Sequence, residues 1–142
     1  MYTVPALWQS LSDVGDARAY RHVETWRRAA DSLRTQKERL QACREALVRR
    51  WPPERSPASA AFVARLDELA GSMVEAEHAA VSTMHRLMGV LDALGEARTR
   101  LEPVYRAYVE KSTDATPRFW DREEDRLNEQ ARTIMVDAES RV

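Results

Sequence analysis

Residues Trp51-Pro52-Pro53-Glu54-Arg55-Ser56-Pro57-Ala58-Ser59-Ala60-Ala61-Phe62 place three prolines within six positions, between two long segments that are otherwise nearly free of helix breakers. Each proline lacks an N–H and clashes with the preceding helical turn, so the cluster cannot lie inside a helix. The residues before the prolines are pushed towards extended backbone as well. The segment therefore predicts a reversal, with Trp51 closing one helical arm and Ser59 near the start of the next.

The first arm is expected from Ala17 to Arg50, a stretch without glycine or proline. Val23, Trp26, Ala30, Leu33, Lys37, Leu40, Arg44 and Leu47 recur at alternating steps of three and four, the period of a helix-packing seam. Lys37 and Arg44 interrupt that seam, and a shift by one residue puts Gln36 and Cys43 inside instead. Long basic stems can cover apolar surface while their charges reach water, so the interruption is tolerable. Beyond the reversal the same rhythm runs through Phe62, Leu66, Leu69, Met73, Ala76, Ala80, Met84, Leu87, Leu91, Leu94, Leu101, Tyr105 and Tyr108. Gly71, Gly89 and Gly95 each weaken that helix by about 1 kcal/mol relative to alanine. Pro103 is expected to kink it.

Thr116-Pro117 opens a third helix, with a capping hydroxyl followed by proline at the first helical position. Asp121, Glu123 and Glu124 suit the positive end of its dipole. Trp120, Leu127, Ala131, Ile134 and Ala138 form its apolar stripe. Ahead of the first arm, residues 1–15 read as a lead-in, where Val4, Leu7, Trp8 and Leu11 give a short amphipathic turn or two that packs back on the hairpin. The expected fold is all-α. A long antiparallel helical hairpin spans about 17–50 and 59–110, kinked near Pro103, with a third helix at about 117–139 packed on it. Residues 1–142 are expected to form a single helical domain.

Charged residues make up 32% of the chain, but 22 Lys+Arg against 23 Asp+Glu leave a net charge of only -1. That balance excludes a nucleic-acid binder relying on a basic excess. A single cysteine, Cys43, precludes an internal disulfide. It reads as a small packed residue rather than a reactive thiol. No apolar run is long enough to insert in a membrane, and no charged-apolar-small leader opens the chain. Export by the general secretory route is therefore not expected.

Glu75 and His78 have the Glu-x-x-His spacing of four-helix di-iron proteins, but neither His22 nor His85 supplies the second such pair that site needs. The serines form no nucleophile elbow and the glycines no phosphate cradle. No catalytic residue, metal site or cofactor follows from the sequence, which points away from an enzyme.

The hairpin resembles the Trp-X-Gly family of small helical proteins linked to type VII secretion, in its longer actinobacterial form. The turn motif position reads Trp51-Pro52-Pro53, with Pro53 where the family has glycine. It is followed by Ser56-Pro57-Ala58-Ser59-Ala60-Ala61-Phe62, and the stretch Leu127–Met135 is similar to segments that follow the hairpin in longer relatives. The family's export signal, Tyr followed four residues on by an acid, belongs beyond the second arm, but it is matched only by Tyr20 and Glu24, at the opposite end, near the start of the first arm. The resemblance implies a non-enzymatic secretion-associated protein: a secreted substrate, a secretion partner or a targeting module that acts by helix-bundle dimerisation. Its partner would be itself or another helical protein of this type, together with the secretion machinery. The alternative is a cytoplasmic helical adaptor or chaperone for another helical protein. The implied turn motif is Trp51, Pro52, Pro53 and Phe62; the candidate partner interface is Trp8, Trp26, Met84, Leu87, Leu91 and Leu94. The expected location is the cytoplasm, or outside the cell without a cleavable signal peptide.

Overall fold

The computed structural model describes residues 2–14, 17–114 and 117–142, and the side chains of these except 114–120. Four α-helices make up nearly all of the described chain: α1 (Val4–Val14), α2 (Ala17–Arg50), α3 (Pro57–Asp114) and α4 (Pro117–Glu139). A short 3-10 turn, Pro53–Arg55, joins α2 to α3, and no strand is present among the described residues. The all-α hairpin with a further packed helix is thus the fold. Its second arm begins two residues before the expected start at 59 and ends four after the expected end at 110. Pro103 does not end it. Pro103 and Thr99 are both exposed, so water can satisfy the Thr99 carbonyl that loses its helical donor.

The helices distribute over two compact units, Met1–Arg21 with Arg86–Val142, and His22–His85. The first is built on a three-helix core. Val4, Leu7 and Leu11 of α1 meet Ala97 and Leu101 of α3 and Leu127, Ala131, Ile134 and Ala138 of α4. In each helix these residues recur at helical spacing, so each presents a single stripe to the common interior. The presumed lead-in is therefore a structural helix. Thr3 O accepts the Leu7 N–H at 3.0 Å, opening α1, and Pro5 sits in the first turn, where its missing N–H costs nothing. The free Val4 N–H donates to Asn128 Oδ1 at 3.0 Å, tying α1 to α4. Trp8 packs against this core, its ring stacked on Tyr105 with centroids 5.0 Å apart. Tyr108 donates to Glu124 Oε1 at 3.2 Å. Salt links join Arg100 to Asp137, Arg141 to Glu96 and Lys111 to Glu123 around the rim. Trp120, expected on the α4 stripe, lies outside the described side chains.

The second unit is the hairpin proper. On α2 the seam follows the predicted register except at Trp26, expected inside but 40% exposed: Ala30 is buried, Val23, Leu33, Lys37, Leu40, Arg44 and Leu47 are half-buried, and Gln36 and Cys43 are exposed. Cys43 is thus a surface residue rather than a packed one, because the chosen register leaves it off the seam. On α3 the seam differs from the pattern. Ser59, Val63, Glu77 and Ala80 are buried and Ala70 is half-buried, whereas Phe62, Leu69 and Ala76, expected inside, are exposed.

Charge explains the shift. Glu77 is only 8% exposed, and its carboxylate accepts from Lys37 Nζ and Arg34 Nε, each at 2.9 Å. Two turns nearer the reversal, Arg44 forks onto Asp67 at 2.5 and 3.0 Å. Both basic interruptions of the α2 seam are therefore neutralised from the opposite arm, and the pairs step in antiparallel order towards the turn. Lys37 first and Arg34 second hold the Glu77 carboxyl below its ordinary value of 4.5. Arg44 lowers Asp67 in the same way.

Two expectations follow. Leu101 is completely buried in the three-helix core, so Leu101→Ala should cost roughly 2–5 kcal/mol in urea unfolding. Because Glu77 has a depressed folded pKa, its stabilising contribution is present at neutral pH and disappears as pH falls below about 4.5 through the lowered value. Thermal melts followed by circular dichroism should decline over that acid window, and less steeply in Glu77→Gln. An unchanged slope in the variant would remove Glu77 from the account.

Candidate functional site

The reversal is closed by a chain of backbone and hydroxyl contacts. Trp51 N still donates to Leu47 O at 2.7 Å, so α2 ends at the tryptophan. Pro52 adopts φ -59 and ψ 130, and Ser56 is extended at φ -150 and ψ 119. Between them Arg55 N donates to Pro52 O at 3.1 Å, making the 3-10 turn. Ser56 then caps α3: its carbonyl accepts from Ala60 N at 3.0 Å and its hydroxyl from Ser59 N at 3.4 Å. Pro57 takes the first helical position, as the cap geometry favours. Ser59, fully buried, donates its hydroxyl to Trp51 O at 2.5 Å, locking the end of one arm to the beginning of the other.

No described residue has a positive φ. The turn thus needs no glycine at Pro53 or elsewhere. Of the implied turn residues, Pro52 and Pro53 are half-buried, Trp51 is 41% exposed and Phe62 is 53% exposed. Trp51 and Phe62 therefore present aromatic surface rather than filling a core.

The candidate partner residues fall in different surroundings. Trp26 is 40% exposed on α2, and Met84 is half-buried near the far end of the hairpin unit. Leu87, Leu91 and Leu94 are half-buried on the part of α3 that belongs to the three-helix unit, where Trp8 also sits. The structure does not bring these six onto one surface of one unit. The sequence pattern placed Leu69 inside and not among the partner residues, yet it is 48% exposed and lies seven residues beyond Phe62. Half-buried Leu66 and Met73 fall between and beyond them at helical spacing. α3 therefore carries two adjacent stripes: small residues and Glu77 towards α2, and Phe62 with Leu69 outward. The signal was available in the paired Phe62-Val63 and Leu69-Ala70 steps, where one apolar residue of each pair has to be outside.

Electrostatically the α2 surface is a lattice of local pairs. Glu24 accepts from Arg27 at 2.6 Å and Arg28 at 3.0 Å, which hold its carboxyl at about 2. The three histidines and Cys43 are exposed. Among the described residues no His/Cys/Asp/Glu group is arranged to hold a metal ion, and no helix is long and apolar enough to cross a membrane.

The Ser59–Trp51 contact makes a direct test of the turn. Ser59→Ala removes one buried hydrogen bond and strands the Trp51 carbonyl, for an expected loss of about 1–3 kcal/mol in urea unfolding with a change in tryptophan emission. A variant as stable as the parent would show that the contact does not hold the arms. Comparison of the chain with protein-family models, curated proteins and solved structures finds no match.

Proposed function

We propose that the chain is a non-enzymatic helical interaction protein that lends the outer face of its hairpin to a second helical chain. The observation that carries this reading is the outward stripe of Phe62 and Leu69, 53% and 48% exposed on one face of α3. Large apolar residues left uncovered two turns apart on one helix face suit a helix laid alongside. The exposed aromatics Trp26 and Trp51 add anchors of the kind that dominate interface energetics. The local Glu–Arg pairs along α2 would help select register and partner.

A hairpin whose turn tryptophan is exposed also supports the narrower reading suggested by the Trp-X-Gly resemblance: a type VII secretion substrate, secretion partner or targeting module. The partner is then a second copy of this chain or a related helical protein. The Tyr20–Glu24 match lies near the start of the first arm instead of beyond the second, which favours the second reading, a cytoplasmic adaptor for a helical client. Loss of export on Trp51→Ala would select the first; the absence of the protein from culture filtrate in both parent and variant would select the second.

Static light scattering, on the chain alone and after co-expression with the product of the adjacent gene, tests the common element. A dimer or a 1:1 complex is expected. Phe62→Asp with Leu69→Asp should abolish it while leaving helicity unchanged, since exposed positions usually shift stability by less than about 0.5 kcal/mol. A monomer that ignores the neighbouring product would overturn the proposal.

A further inference from the structure

A cleft of about 460 Å³ opens in the three-helix unit, walled by Trp8, Leu11 and Val14 on one side and by Leu91, Leu94 and Gly95 of α3 on another. Its size lies within the range of small-molecule sites, roughly 300–1,000 Å³. Gly95 keeps it open. Glycine weakens a helix interior and is usually retained where another backbone comes close, yet a Cβ built on Gly95 meets no atom within 4 Å. The space beside it is unfilled.

Tyr20 and Thr99 add polar groups to the lining, and one cation borders the cleft. Arg98 lines the cleft and lies with its guanidinium carbon 5.8 Å from the centre of the Trp8 ring. Glu102, one helical turn further, also lines the cleft but is committed to Arg106 at 2.9 Å. No carboxylate among the described residues pairs with Arg98, in contrast to Arg27, Arg34, Arg44 and Arg100. An arginine steadied on an aromatic face keeps its donors free for a planar anion.

We propose that this cleft binds a small apolar carboxylate, with the hydrocarbon part against Leu11, Val14, Leu91 and Leu94 and the carboxylate on Arg98. The site is separate from the outward stripe of the hairpin and does not depend on the interaction reading. Apolar burial supplies most of the affinity and the charge-assisted hydrogen bonds supply the selectivity for an acid over an alcohol.

Amide chemical shifts of the full chain, titrated with octanoate and separately with 1-octanol, test it. Octanoate should give saturable shifts at Gly95, Arg98 and Thr99, with an apparent Kd at least about fivefold below that of the alcohol. Arg98→Gln, a change at an exposed position, should erase that preference. Gly95→Leu should fill the cleft and remove binding of both compounds while helicity is retained. The proposal is overturned by equal binding of acid and alcohol, by a preference that survives Arg98→Gln, by shifts centred on Phe62 and Leu69 instead, or by no saturation up to about 10 mM.

Discussion

The hairpin depends on one carboxylate placed where a hydrophobic residue would be expected. Glu77 sits in the seam between Lys37 and Arg34, and a charge so poorly exposed is tolerable only when it is paired. Two helices with apolar seams can slide by a heptad and still bury oil against oil. They cannot slide past an acid that must meet a base. Such buried polar contacts are best attested as devices that fix register. Once Glu77 is opposite Lys37, Val63 and Ala70 follow into the seam and Phe62 and Leu69 are forced out.

The two units solve the burial problem differently. In the first, three helices close around Leu101, Leu127 and Val4, each fully or almost fully removed from water. In the second, the buried apolar residues are Ala30, Val63 and Ala80, side chains that each contribute little transfer free energy at about 25 cal/mol per Å². Small side chains let the arms approach closely, but two helices enclose little volume. The hairpin therefore leans on ion pairs and the proline turn for specificity, and retains uncovered aromatic surface.

Much of this was legible in the chain. Prolines 52, 53 and 57 announced the reversal, the stripe from Val23 to Leu47 identified the α2 seam, and Thr116-Pro117 announced α4. The outward position of Phe62 and Leu69 was harder to see, because hydrophobic periodicity weights phenylalanine and leucine above alanine and glutamate. The neglected clue was Lys37 with Arg44: two bases in one seam demand acids from the other arm, and Glu77 and Asp67 were there to supply them. α1 was underestimated for another reason. Its stripe is only three turns long, and its worth comes from meeting two other helices, which spacing along the chain does not disclose. The same holds for the cleft at Gly95 and Arg98, whose walls come from different helices.

The turn has a consequence for anything that meets it. Proline fixes φ at three positions around Trp51, and the tryptophan's own amide and carbonyl are both engaged, by Leu47 and Ser59. A side chain carried on so constrained a backbone has already surrendered most of its freedom during folding. Association there would forgo much of the ordering entropy that a flexible loop must give up on docking, so the apex can be recognised through a small contact area.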